Sequence, residues 1–194
     1  MCISLFGCQK QKEEIHIFYT SDVHCGLEEN INIASLKALV DERKLENKNV
    51  LLVDAGDFLQ GSNLGLLTKG QSIINIMNNL DYDYVTIGNH EFDYGLDRLK
   101  ELLDQASFNI VVSNSKYNGN KEDIFKDIPE YYIHDFNGTK IAFIGIVTPT
   151  SITSSTPSYF KENGEFVYDF YGGDEGNILA EKIQSVVDEV RSQK

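Results

Sequence analysis

The sequence predicts an α/β fold with a mainly parallel, buried first sheet. Three observations carry that expectation. Short β-branched and aromatic runs alternate with longer amphipathic segments from Ile15 to Val112. One of the runs, Val50-Leu51-Leu52-Val53, is apolar throughout, the pattern of a strand covered on both faces. Three of the runs end in polar clusters, where ligands of an open parallel sheet gather beyond the carboxyl ends of strands.

Taken in order, Ile15 to Tyr19 reads as the first strand, and Ala34, Leu36, Leu39 and Val40 as the stripe of a helix ending near Asp41-Glu42-Arg43-Lys44. Val50 to Val53 is the second strand. A helix over Ser72 to Leu80 turns Ile73, Ile74, Ile76, Met77 and Leu80 inward. Tyr84 to Ile87 is the third strand, Leu96, Leu99, Leu102 and Leu103 mark a helix, and Phe108 to Val112 is the fourth strand. This βαβαβαβ rhythm implies helices packed on a parallel sheet. The rhythm then changes. Tyr131 to Phe136 and Thr139 to Val147 flank Asn137-Gly138, a pair suited to the positive φ angles of a type I′ hairpin turn. Thr148 to Gly173, rich in Ser, Thr, Tyr and Gly, reads as a long surface loop. Asp174 to Lys194 reads as a final helix with Ile178, Leu179, Ile183, Val186, Val187 and Val190 on its apolar side.

The chain has 194 residues, 41% hydrophobic and 24% charged, which excludes dominant disorder. No apolar run reaches the roughly 18–20 residues of a membrane span. Thirty acidic against 17 basic residues leave a net charge of -13, which argues against long nucleic acid as a partner and is compatible with divalent cations. Three cysteines without a CxxC pair give neither a disulfide framework nor the usual structural zinc signature. Leu5-Phe6-Gly7-Cys8 followed by the polar run Gln9 to Glu14 resembles the end of a bacterial lipoprotein signal. Against that reading, seven residues precede Cys8 and no basic region does. If Met1 is an internal methionine of a longer signal, both objections shrink; a plain frayed terminus is the alternative.

The chemistry lies in three loops. Asp22-Val23-His24 follows the first strand, Gly56-Asp57 the second and Gly88-Asn89-His90-Glu91 the third. If the first loop continues the extended strand, Asp22 and His24 point together while Val23 points into the core. Gly56 allows Asp57 to turn sharply inward. Asn89 offers an amide oxygen, and the adjacent His90 is left to face substrate. Carboxylate, imidazole and amide oxygen together suit a divalent metal. Cys25 is read as a small filler under its loop in preference to a soft ligand, and His16 and His134 as structural or surface histidines.

These residues resemble the metallophosphoesterase superfamily and, within it, the 5′-nucleotidase family. The matching pieces are Tyr19-Thr20-Ser21-Asp22-Val23-His24, Asp54 to Ser62, and Tyr82 to Asp93 with Ile87-Gly88-Asn89-His90-Glu91-Phe92-Asp93; Gly145 to Pro149 is also similar. The likeness runs from about Ile15 onward. Cys25 and Tyr19 depart from the usual family residues.

The resemblance implies the N-terminal part of an α/β/β/α sandwich, the hairpin feeding a second sheet. It implies two divalent ions (Mn, Zn, Co or Mg) about 3.5–4 Å apart. Asp22 and His24 would hold the first ion, Asp57 would bridge, and Asn89 would hold the second. His90 would stabilise the transition state or protonate the leaving oxygen, oriented by Asp93; Glu91 and Phe92 are taken as a cap and a packed aromatic. By the same resemblance, further histidine ligands and a substrate domain belong to later segments. Residues 15–194 are therefore expected to be the N-terminal portion of a catalytic domain, and 1–14 a signal remnant or lipoprotein tether. The expected substrate is a small nucleotide or other phosphoester, most simply a 5′-nucleotide, at the bacterial cell envelope (periplasm or outer surface) with a lipid anchor through Cys8. Cyclic-nucleotide or other phosphodiester hydrolysis, and a non-catalytic metal-binding fragment, stay open beside it.

Overall fold

A computed structural model describes residues 14–26, 32–172 and 176–193. Cys2, Cys8 and the expected lipid-anchored tether lie outside the described residues. In chain order the elements are β1 (His16–Thr20), α1 (Ile33–Glu46), β2 (Val50–Asp54), α2 (Asn63–Thr68), α3 (Gln71–Asn79) and β3 (Tyr84–Val85). After a 3-10 turn (His90–Phe92) come α4 (Leu96–Leu103), β4 (Asn109–Ile110), β5 (Lys116–Tyr117), β6 (Tyr131–Phe136), β7 (Thr139–Ile144) and α5 (Ser151–Ser154). A second 3-10 turn (Pro157–Phe160) leads to β8 (Lys161–Glu162), β9 (Glu165–Phe166), β10 (Tyr168–Asp169) and α6 (Asn177–Ser192).

The first four strands form one parallel sheet in the order β1-β2-β3-β4. Sequential order with right-handed crossovers sends every connecting helix to one face. That face is where α1, α3 and α4 bury Val40, Ile73, Ile74, Met77, Leu99 and Leu102 against Val50, Leu52 and Val85. The alternate residues of the same strands, Leu51, Val53 and Tyr84, turn to the other face and meet Phe136, Tyr132, Ile141 and Phe143 of β6 and β7. Period-two alternation in a doubly buried strand thus supplies two cores. The β6–β7 hairpin is closed by Asn137 at φ 52° and Gly138 at φ 100°, both positive as a type I′ turn requires. On its outer side lies α6, tied by Tyr131 to Glu189 at 2.9 Å and by Lys182 to Glu130 at 2.6 Å. The layers therefore run helices, sheet, hairpin, helix.

Several elements differ from expectation for identifiable reasons. The α1 stripe is Ile33, Leu36 and Val40, while Ala34 and Leu39 face solvent. The strands β3 and β4 pair over two residues each because the chain leaves the ladder early to build loops; Ser113, beyond β4, donates instead to Gly145 O at 2.7 Å. The apolar side of α6 is only partly covered, with Val186 buried and Ile178 half exposed. A two-stranded hairpin is narrow relative to a helix of that length. The largest correction concerns Thr148 to Gly173, which is not a surface loop over its described part. Short strand pairs β8–β9 and β5–β10 carry Phe160, Tyr168 and Phe170 into the main core. Phe92, immediately after Glu91, packs there, its ring 5.0 Å from that of Phe160 and 5.7 Å from that of Phe170. The segment read as loop therefore supports the third chemical loop from below.

Candidate metal and catalytic site

The loops after β1, β2 and β3 meet at the carboxyl end of the sheet. Main-chain bonds stitch the first to the second: Asp22 N–H donates to Gly56 O and His24 N–H to Asp57 O, both at 3.0 Å. The first loop is not extended. Asp22 (φ 54°), His24 (φ 47°) and Cys25 (φ 56°) are all left-handed, and Gly26 N–H closes a turn on Val23 O at 2.6 Å. Asp22 and His24 therefore converge through a tight turn and not through strand alternation. Val23 still lines the core side, beside Ile33, Phe58 and Ile73.

The second and third loops touch backbone to backbone. A Cβ on Gly56 would meet Gly88 N and stand 2.9 Å from the Ile87 carbonyl carbon, so a side chain at residue 56 would force the loops apart. Asp57 at φ 58° follows, and its Oδ1 accepts the His90 N–H at 2.8 Å. Asp22, His24 and Asp57 each place one ligand atom within 4.8 Å of the others. Asn89 heads the 3-10 turn in the same loop contact, next to His90. Among the described residues, no Lys or Arg forms an ion pair with Asp22 or Asp57. Two carboxylates gathered without a counter-cation, beside an imidazole, fit a divalent metal ion.

The histidines are oriented by their second nitrogens. His24 Nδ1 lies 3.0 Å from Gln60 O, and a carbonyl only accepts, so the proton sits on Nδ1 and Nε2 is free to ligate. His90 Nδ1 meets Asp93 Oδ2 at 2.7 Å, so its other ring nitrogen, Nε2, points away from that bond. The Asp93 hydrogen bond holds the His90 pKa above its ordinary value, against a smaller opposing effect of burial. The two rings lie edge to face with centroids 4.9 Å apart. His16 reaches Glu14 and His134 reaches the Tyr84 hydroxyl at 2.9 Å, both away from this cluster. Cys25 is buried, its thiol donating to Leu59 O at 3.1 Å and Phe58 O at 3.3 Å. Burial pushes that thiol up from its ordinary pKa, away from the thiolate a metal would need.

Two acids matter more to the site than sequence reasoning suggested. Asp54 closes β2 under the loops, accepting from Thr20 Oγ1 at 2.5 Å and Gly56 N at 2.8 Å, with Tyr82 OH 2.8 Å from Thr20 Oγ1. Burial pushes its carboxyl up to about 7. Glu91, read as a cap, is fully buried and accepts four backbone N–H bonds from the second and third loops. Nothing in a one-letter motif reports that count. The only available signals were an acid beside an aromatic in a buried run, and Asp54 ending an all-apolar strand. A crevice of about 290 Å³ opens at the same end of the sheet, between the two β layers, lined by Tyr19, Asp54, Ala55, Thr86 and Gly145.

The family model for calcineurin-like phosphoesterases matches residues 15–175. The trifunctional nucleotide phosphoesterase protein YfkN of Bacillus subtilis is 34% identical over 166 residues, covering 72% of this chain and 11% of YfkN. The snake venom 5′-nucleotidase of Crotalus adamanteus is 32% identical over 164 residues, covering 77% of this chain and 28% of that protein. The structure of the Haemophilus influenzae NAD nucleotidase superposes with a TM-score of 0.75 at 25% identity, over 91% of this chain and 32% of that one. The chain thus spans less than a third of the length of each of these relatives.

Proposed function

Because the chain belongs to the calcineurin-like phosphoesterase family, we propose that it carries the loops of a site for metal-dependent hydrolysis of phosphate esters, with 5′-nucleotides as the substrate class. The observation that carries this reading is the convergence of Asp22, His24 and Asp57 within 4.8 Å beside the His90–Asp93 pair. Similarity to a nucleotide phosphoesterase and a 5′-nucleotidase supports the substrate class. In this reading Asp22, His24, Asp57 and Asn89 would hold the divalent ions. When bound, the ions supply Lewis-acid polarisation of the phosphoryl oxygens and positive charge for an anionic substrate in a strongly acidic chain. His90 presents Nε2–H to the leaving oxygen, and Asp93 fixes the ring and favours its protonated form. The Gln60 carbonyl fixes the tautomer in which His24 ligates through Nε2.

Residues 15–194 form, in the same reading, the N-terminal portion of a larger catalytic domain; the small share of each relative that is covered supports this. Among the described residues no helix is long and apolar enough to cross a membrane. The reading keeps a lipid anchor at Cys8 and a place at the bacterial cell envelope, supported by the run Leu5 to Glu14. Palmitate labelling that survives Cys8→Ser would contradict the anchor. For the activity, phosphate release from 5′-AMP is measured with Mn²⁺, Co²⁺ or Zn²⁺ and with EDTA, with 2′,3′-cyclic AMP alongside. The assay uses this chain and one extended through the rest of its reading frame. Metal-dependent release from 5′-AMP, stronger in the extended chain, is expected. Hydrolysis of the cyclic ester alone would shift the substrate class, and EDTA-resistant hydrolysis would contradict the metal role.

A further inference from the structure

The Glu91 carboxylate has no part in the reaction outlined above, yet it joins both loops that flank Asp57. It is fully buried. Oε2 accepts Asp57 N at 2.8 Å and Gly88 N at 2.7 Å, and Oε1 accepts Phe58 N at 2.8 Å and Leu59 N at 3.0 Å. Three of these donors belong to the loop after β2, while Glu91 itself and Gly88 belong to the loop after β3. A return bond runs the other way, from His90 N to Asp57 Oδ1 at 2.8 Å. The two loops are therefore clasped by a carboxylate from each, crossing in opposite directions. Four N–H donors require an acceptor at both oxygens. A glutamine offers one oxygen, and its NH₂ would confront two donors. No cation of the described residues pairs with Glu91.

We infer that Glu91 is the positioning residue of the metal site: its carboxyl group clasps the loops after β2 and β3 and holds Asp57 in its left-handed conformation facing Asp22 and His24. The inference rests on reading Asp22, His24 and Asp57 as metal ligands. It assigns Glu91 no contact with metal or substrate.

The test is Mn²⁺ affinity, read by electron paramagnetic resonance of the free ion, for the 194-residue chain and its Glu91→Gln, Asp57→Ala and Leu102→Ala forms. Leu102 is fully buried on α4 and serves as a destabilising control remote from the clasp. Asp57→Ala is expected to lose binding at least a hundredfold, and Glu91→Gln about 10–100-fold, the usual effect of removing a group that orients a ligand. Leu102→Ala should stay within threefold of the parent. If Asp57→Ala loses binding and Glu91→Gln stays within threefold, Glu91 has no positioning role and the metal reading survives. Equal losses in Glu91→Gln and Leu102→Ala would make the effect one of stability alone and overturn the inference. If Asp57→Ala binds normally, the metal reading fails and the inference with it. Should Glu91→Gln not fold, amide exchange in the unsubstituted chain decides. Addition of Mg²⁺ should slow exchange at Asp57, Phe58, Leu59 and Gly88 together, and unchanged exchange at saturating Mg²⁺ would overturn the clasp.

Discussion

Replacing Gly56 by alanine isolates the contact on which the site geometry depends. Gly56 has φ 102° and sits against Gly88 and Ile87; Gly138, at the hairpin tip, has φ 100° with nothing within 4 Å of an added Cβ. The backbone strain of a side chain at positive φ is thus nearly the same at both positions, about 1–2 kcal/mol. Only Gly56 adds crowding between two main chains, which costs a further 1–3 kcal/mol or so. Gly138→Ala should therefore destabilise by about 1–2 kcal/mol and Gly56→Ala by about 2–5 kcal/mol. Because Asp57 is the next residue and His90 N–H is bonded to it, the displacement should also reach the ligand set, lowering Mn²⁺ affinity about tenfold or more. Urea denaturation in EDTA gives the first quantity and Mn²⁺ titration the second. Equal destabilisation by the two substitutions, with Mn²⁺ affinity unchanged in Gly56→Ala, would refute the argument that this glycine sets the spacing of the loops.

Other outcomes follow from the same structure. Phe170→Ala should cost about 3–5 kcal/mol by urea denaturation, because the ring is fully buried against Phe92; a loss under 1 kcal/mol would restore the surface-loop reading. Asp54 has its carboxyl raised by burial to about 7 from 3.8, so between those values the folded state binds the extra proton. Metal-free stability should then fall as pH rises through that window, at up to about 1.4 kcal/mol per pH unit for this group. Asp54→Asn should remove that part of the slope between about pH 4 and 7, and an unchanged slope would contradict the assignment. In a form that hydrolyses 5′-AMP, His90→Ala should lower kcat about 10²–10⁴-fold with Mn²⁺ affinity preserved. An unchanged kcat would remove His90 from the proton transfer while leaving the ligand set intact.

How much was legible in the sequence can be judged from particular residues. The parallel sheet was readable because Val50 to Val53 is apolar throughout and because helix-period leucines separate the strands. Strand lengths were less readable, since Ile87 and Val112 keep an apolar sequence after the ladder has opened, the Val112 N–H donating to Pro129 O instead. The convergence of Asp22, His24 and Asp57 was predictable from strand polarity alone, but its local cause was not. Left-handed residues at Asp22, His24 and Cys25 depend on bonds from the Gly56–Asp57 loop, a long-range contact invisible to local pattern. The stretch from Thr148 onward misled by composition, because its Ser, Thr and Gly content hid three aromatics spaced so that short strand pairs could bury them. Glu91 was undervalued for a related reason: a charged residue beside a catalytic motif invites a solvent-facing or capping role, and only the fold reveals four donors around it.

The central claim is that three strand-end loops build one divalent-metal site. Anomalous diffraction from crystals soaked in Zn²⁺, collected on both sides of the zinc absorption edge, tests it most directly. The account predicts a peak about 2.0–2.2 Å from a carboxylate oxygen of Asp22, from His24 Nε2 and from a carboxylate oxygen of Asp57, with Asn89 turned toward the same cluster. A fully occupied zinc peak elsewhere in the molecule, with none among these three side chains, would contradict it.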